Sequence, residues 1–106
     1  MRWAKERCLA DLSHNVQLFE RVVASVMSYL EKRAERLCDA YDEGNWDVVR
    51  SEAHFLKGTS QHLHFTVLLD LTQRIESLAP LQRVDDELIA QFKEEVDALL
   101  IELVAD

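Results

Sequence analysis

Only two glycines and one proline occur in the 106 residues, where average usage of about 7% and 5% would supply about a dozen. A turn-rich β-sandwich or barrel needs such residues at each reversal of the chain and could hardly be built from three. Long helices with few connections are the alternative. The length is that of one compact domain, spanning 1–106, with no room for a catalytic domain beside a regulatory one. With 48% hydrophobic and 30% charged residues, such helices are amphipathic. Charges break every apolar run well short of the roughly 18 residues a membrane span needs, so no membrane association is expected. Lys5, Glu6 and Arg7 stand where the apolar segment of a signal peptide would begin.

Twelve Lys and Arg against twenty Asp and Glu give a formal charge of −8. That balance repels phosphate backbones and removes the main affinity term for nucleic acid. Cys8 and Cys38 lie in helical stretches with no Cys-x-x-Cys spacing, so they read as reduced, buried small hydrophobes of a cytoplasmic protein.

Five helical segments follow from the periodicity. A short opening helix over residues 3–11 stops near Ser13 and Asn15, either of which can cap the next helix. Phe19, Val22, Val26, Leu30, Ala34, Leu37 and Tyr41 keep one apolar stripe in register to about Glu43, with a possible break near Ser28. Gly44 and Asn45 end that helix, and Asn45 caps a third whose buried face is Val49, Ala53, Leu56, Ser60 and Leu63. A tight turn at His64 and Phe65 leads to a fourth helix marked by Leu68, Leu71, Ile75 and Leu78, which Pro80 terminates. Asp85, Asp86 and Glu87 open a fifth, where negative charge suits the helix dipole, and Leu88, Phe92, Val96, Leu99 and Leu103 carry its stripe. Short connections make neighbours antiparallel. The expected fold is all-α: an up-down four-helix bundle with the short N-terminal helix closing one end.

On a wheel of about 100° per residue with Leu56 at the core direction, His54 falls at roughly 160°. Arg50, Lys57, Gly58 and Gln61 share its outward half, so the imidazole is exposed and flanked by cationic and hydrogen-bonding groups. Gly58 is costly in a helix interior, by about 0.5–1 kcal/mol relative to alanine. Four residues beyond His54, it is a stacked neighbour that clears space beside the ring. Imidazole accepts a phosphoryl group near neutral pH through the lone pair of one ring nitrogen, and Lys57 would offset the arriving charge. A solvated histidine beside a tolerated helix glycine accounts for the same geometry.

The run Glu52-Ala53-His54-Phe55-Leu56-Lys57-Gly58-Thr59-Ser60, with Leu63, Leu68, Leu71 and then Ile75-Glu76, resembles the signature of histidine-containing phosphotransfer (HPt) domains, roughly A-H-x-L-K-G-[ST]-[SA] with a later L-E. Leu18-Phe19 and the stretch Tyr41-Asp42-Glu43-Gly44-Asn45-Trp46 extend the likeness over most of the chain. The resemblance implies a four-helix bundle that takes a phosphoryl group from a response-regulator receiver aspartate and passes it to another response regulator. By position, His54 would be the phosphoryl acceptor, Lys57 the stabilising cation and Gly58 the small residue that admits the receiver. Arg50 and Gln61, added from the wheel, would bind phosphoryl oxygens or the partner, or simply be solvated. Family members usually carry glycine ten residues after the histidine, where this chain has His64. That side chain either tolerates the same positive-φ conformation or alters receiver docking.

Such a protein is a phosphorelay intermediate without an ATP site or autonomous kinase activity, and no Gly-rich phosphate loop is present. It needs no cofactor of its own, Mg²⁺ being expected in the receiver. The expected partners are receiver domains, with a hybrid sensor histidine kinase as a further candidate, and a monomer suffices. A non-catalytic helical adaptor and the phosphotransfer domain of a chemotaxis-type histidine kinase are the alternatives. Metal binding is not expected: the wheel separates His62 from His54, and no glutamate has a histidine three residues later.

Overall fold

The protein is described here by a computed structural model covering residues 2–105. Its elements are α1 (Lys5–Asp11), α2 (Val16–Asp42), α3 (Trp46–Leu63), α4 (Thr66–Leu78) and α5 (Asp86–Ala105), with one turn of 3-10 helix at Ala79–Leu81 between the last two. Helices α2 to α5 form the bundle, α2 packing on α3 and α5, and α4 on α3 and α5. The 27 residues of α2 span about 40 Å at 1.5 Å per residue, matching the 42 Å long axis of the molecule. No described helix is long and apolar enough to cross a membrane.

The stripes of α3 and α5 are buried as their spacing requires: Val49, Ala53, Leu56, Ser60 and Leu63 on one, Leu88, Phe92, Val96, Leu99 and Leu103 on the other. On α2, Val22 and Tyr41 are only half-buried while Val23 and Cys38 are enclosed. A helix flanked by two neighbours buries a broader face than a single stripe. The helix runs unbroken through Ser28, whose hydroxyl donates to the Ser25 carbonyl at 2.6 Å. Asn15, not Ser13, caps α2 by accepting from the Leu18 amide at 3.0 Å. Asn45 caps α3 through the Val48 amide, and Asp85 accepts from the Leu88 amide at the head of α5. Tyr41 donates to Asp86 at 2.6 Å, tying the end of α2 to the start of α5, and that bond pushes its phenol up to about 12. Cys8 and Cys38 are free and buried, and burial raises both thiols.

The opening helix starts two residues later than the periodicity predicts, because Trp3 belongs to a different arrangement. Residues 2–4 lie extended beside 64–66, with Ala4 N–H donating to His64 O at 2.9 Å and Thr66 N–H to Arg2 O at 3.0 Å. The Trp3 ring stacks on Phe19 and meets the edge of Phe65. This strap fixes α1 across the end of the bundle where α3 turns into α4.

At that turn His64 adopts φ 60°, ψ 42°, the left-handed conformation that terminates α3, and the Phe65 amide closes the turn on Ser60 O at 3.0 Å. The histidine holds a position where glycine is usual by spending its side chain: Nε2 lies 2.7 Å from Asp11 Oδ2 at the end of α1. Truncation to alanine keeps the strained backbone and loses this bond. His64→Ala is therefore expected to destabilise the fold by about 1–2 kcal/mol, with His64→Gly more stable than His64→Ala by about 1 kcal/mol. Urea denaturation of the three proteins checks it; equal midpoints would show that neither the bond nor the backbone strain matters.

Candidate functional site

His54 stands midway along α3 with its ring 71% exposed. One helical turn on, Lys57 leans the same way, and α4 packs alongside so that Glu76 faces both. The carboxylate divides its oxygens: Oε2 meets His54 Nδ1 and Oε1 lies 2.7 Å from Lys57 Nζ. Hydrogen bonds from Lys57 first, and then from His54, lower the Glu76 carboxyl from its ordinary value. An ionised carboxylate can only accept, so Nδ1 carries the hydrogen and Nε2 keeps its lone pair. The ring is thereby fixed in orientation and tautomer, with its nucleophilic nitrogen as the one Glu76 does not hold.

Lys57 is not the free, exposed cation that the wheel implies. Its side chain is 24% exposed and its charge is already matched by Glu76. Glu76 belongs to the motif, but its position on the next helix, 22 residues on, is beyond what a single-helix wheel can see. Arg50 and Gln61 are exposed on α3, and among the described residues neither side chain makes a hydrogen bond or ion pair.

Gly58 has no internal reason to be glycine. Its φ is not positive, and a Cβ built on it would meet no atom within 4 Å. The helix therefore carries the propensity cost of about 0.5–1 kcal/mol without any packing gain in this chain. The open space lies on the side of His54 away from Glu76, where a groove of about 770 Å³ runs between α1, α2 and α3. Its floor and walls are mainly apolar, with Leu12, Val22, Val26, Tyr29 and Phe55 among the lining residues. His62 borders the same groove rather than a separate face, two turns or about 12 Å along the axis from His54. Among the described residues no three His, Cys, Asp or Glu side chains gather as metal ligands would.

Residues 9–102 match the family model of the Hpt domain. The chain belongs to the Hpt domain family. Two solved structures share the fold of this Hpt domain over 98% of its length and 92% of theirs. One is the HPT domain of the Hpt sensor hybrid histidine kinase from Shewanella, with 19% identity and a TM-score of 0.85. The other is histidine-containing phosphotransfer protein B from Pseudomonas aeruginosa, with 21% identity and a TM-score of 0.87. No curated protein matches the chain. Family membership makes this a histidine phosphotransfer domain of the phosphorelay type, an all-helical four-helix bundle with a short N-terminal helix.

Proposed function

We propose that His54 is the residue that carries the phosphoryl group, accepting it at Nε2 from a receiver-domain aspartate and releasing it to the aspartate of another response regulator. The observation that carries this reading is the Glu76 bridge, which engages Nδ1 and leaves Nε2 available on an exposed ridge. In the forward step the Nε2 lone pair attacks phosphorus, a P–N bond forms, the P–O bond of the acyl phosphate breaks and the aspartate leaves as carboxylate. The ring becomes cationic as this happens, and the Glu76 carboxylate already faces it, so the developing charge is met without reorganisation. Lys57, shared with Glu76, offsets the charge of the phosphoryl oxygens. Gly58 leaves the receiver room to approach, and Arg50 and Gln61 stand on the outward surface of α3 as contacts for that partner. Mg²⁺ and the aspartate are the receiver's contribution.

The test is intact mass after incubation with a panel of phosphorylated receiver domains and Mg²⁺. Wild type is expected to gain one acid-labile phosphoryl group and His54→Gln none. Equal gain by both would move the site off His54. No gain by wild type from any receiver, in a panel where another Hpt domain is phosphorylated, would favour a non-catalytic adaptor.

A further inference from the structure

One acidic side chain in the core has no part in the chemistry above. Glu52, on α3, is 3% exposed, and a buried carboxylate must be paired or it destabilises the fold. Arg33 of α2 supplies the partner, its Nη1 lying 3.2 and 3.4 Å from the two carboxylate oxygens, with Arg36 Nε 3.7 Å away on the outer side. The Arg33 guanidinium makes a second contact at the same time: it lies over the Phe55 ring, 3.8 Å from the centroid. Tyr29 meets that ring edge-on, with centroids 5.3 Å apart, and its hydroxyl pairs with Thr59 Oγ1 at 3.0 Å.

Each group in this chain is held by the next, and the last one held is Phe55. It is the residue after His54, it lines the groove beside the imidazole, and 39% of it is exposed. A large ring fixed from both sides yet left facing solvent is a preorganised contact surface, because little side-chain entropy remains to be lost when a partner covers it. Resting on the phosphotransfer reading above, we propose that Arg33 is a positioning residue for receiver recognition: clamped by buried Glu52, it holds Phe55 as a rigid apolar contact beside His54 and so sets how tightly a receiver docks. The occupant is the receiver itself. A domain that brings an aspartyl phosphate to Nε2 must cover the adjoining groove, because His54, Phe55 and Gly58 line it together.

Arginine does two things here that lysine cannot do together. A lysine at 33 keeps a charge for Glu52 but has no flat face to lay on the ring. The experiment uses Arg33→Lys, Phe55→Leu and the double variant. It measures kcat and KM for transfer from the receiver that phosphorylates wild type, and phosphoryl uptake from phosphoramidate, a small donor that needs no docking. Arg33→Lys is expected to raise KM about tenfold with kcat within about twofold, to leave uptake from phosphoramidate unchanged, and to add nothing once Phe55 is leucine. A KM within twofold of wild type overturns the proposal, as does an Arg33→Lys effect of full size in the Phe55→Leu background. Equal slowing with receiver and phosphoramidate would place Arg33 in the reaction at His54 and also overturns it. Failure of wild type to accept phosphate from either donor overturns the phosphotransfer reading, and this proposal with it.

Discussion

Gly58→Gln is expected to slow phosphoryl uptake from a receiver by about 100-fold or more while leaving the free protein as stable as wild type or more so. The two halves of this prediction come from the same observation. Inside the chain a side chain at 58 meets open space, so replacing glycine removes its helix penalty and stabilises the fold by about 0.5 kcal/mol. Toward a partner, the same side chain projects beside His54 into the space through which phosphorus must reach Nε2. Reacting atoms have to come within about 3–3.5 Å, and a misplacement of about 1 Å costs about 100-fold. Quenched-flow transfer from a phosphorylated receiver, paired with urea denaturation, reads both effects. Gly58→Ala, with one small group, should keep most of the transfer and all of the stability gain. Transfer by Gly58→Gln within threefold of wild type would mean that the receiver does not approach over this residue.

Glu76→Gln is the second substitution with a large expected effect. The amide can still accept from Nδ1–H but no longer opposes the charge that builds on the ring, and it releases Lys57 from its ion pair. Hydrogen bonds to charged groups contribute about 1.5–3 kcal/mol, so uptake from both receiver and small donors should fall by about 10- to 100-fold. The slowing with phosphoramidate separates this variant from a docking defect. A pH dependence follows from the lowered carboxyl of Glu76. Because its folded-state pKa lies below the unfolded value of about 4.3, the bridge contributes stability that is fully present above that value. The contribution is lost as pH falls through the lower, folded-state value. Urea midpoints of wild type and Glu76→Gln should therefore differ at neutral pH and converge in acid. A difference that persists unchanged to the lowest pH would assign it to something other than the carboxylate charge.

Much of this was readable from residue spacing. Every predicted position of the α3 and α5 stripes is buried, although Glu52 and Thr59 on α3 and Ile89 and Glu95 on α5 are buried beside them, and the near absence of glycine and proline left only helices to arrange. His54 and Gly58 were visible because both contradict what their positions ask for, an ionisable ring and a flexible residue on a face the core does not need. What spacing did not reveal are the features made between elements. Glu76 reaches His54 from α4, Arg33 reaches Glu52 and Phe55 from α2, and Trp3 leaves the helix to lie against Phe65. A wheel treats one helix in isolation and has no term for such contacts. His64 shows the same limit from the other direction: the resemblance marked it as a departure, but only the distance to Asp11 explains how histidine holds a left-handed turn.

The His54 side chain is 71% exposed at the border of an open groove, so among the described residues it is not shielded from water. A phosphoryl group carried there, as proposed, would have little shelter, and its lifetime would be that of a P–N bond in open solvent. Custody of the group then depends on timing. If His54 carries the group as proposed, the domain would keep its cargo from hydrolysis only by handing it over sooner, and would keep the signal faithful by which surfaces settle against α3, not by locking the group away between encounters.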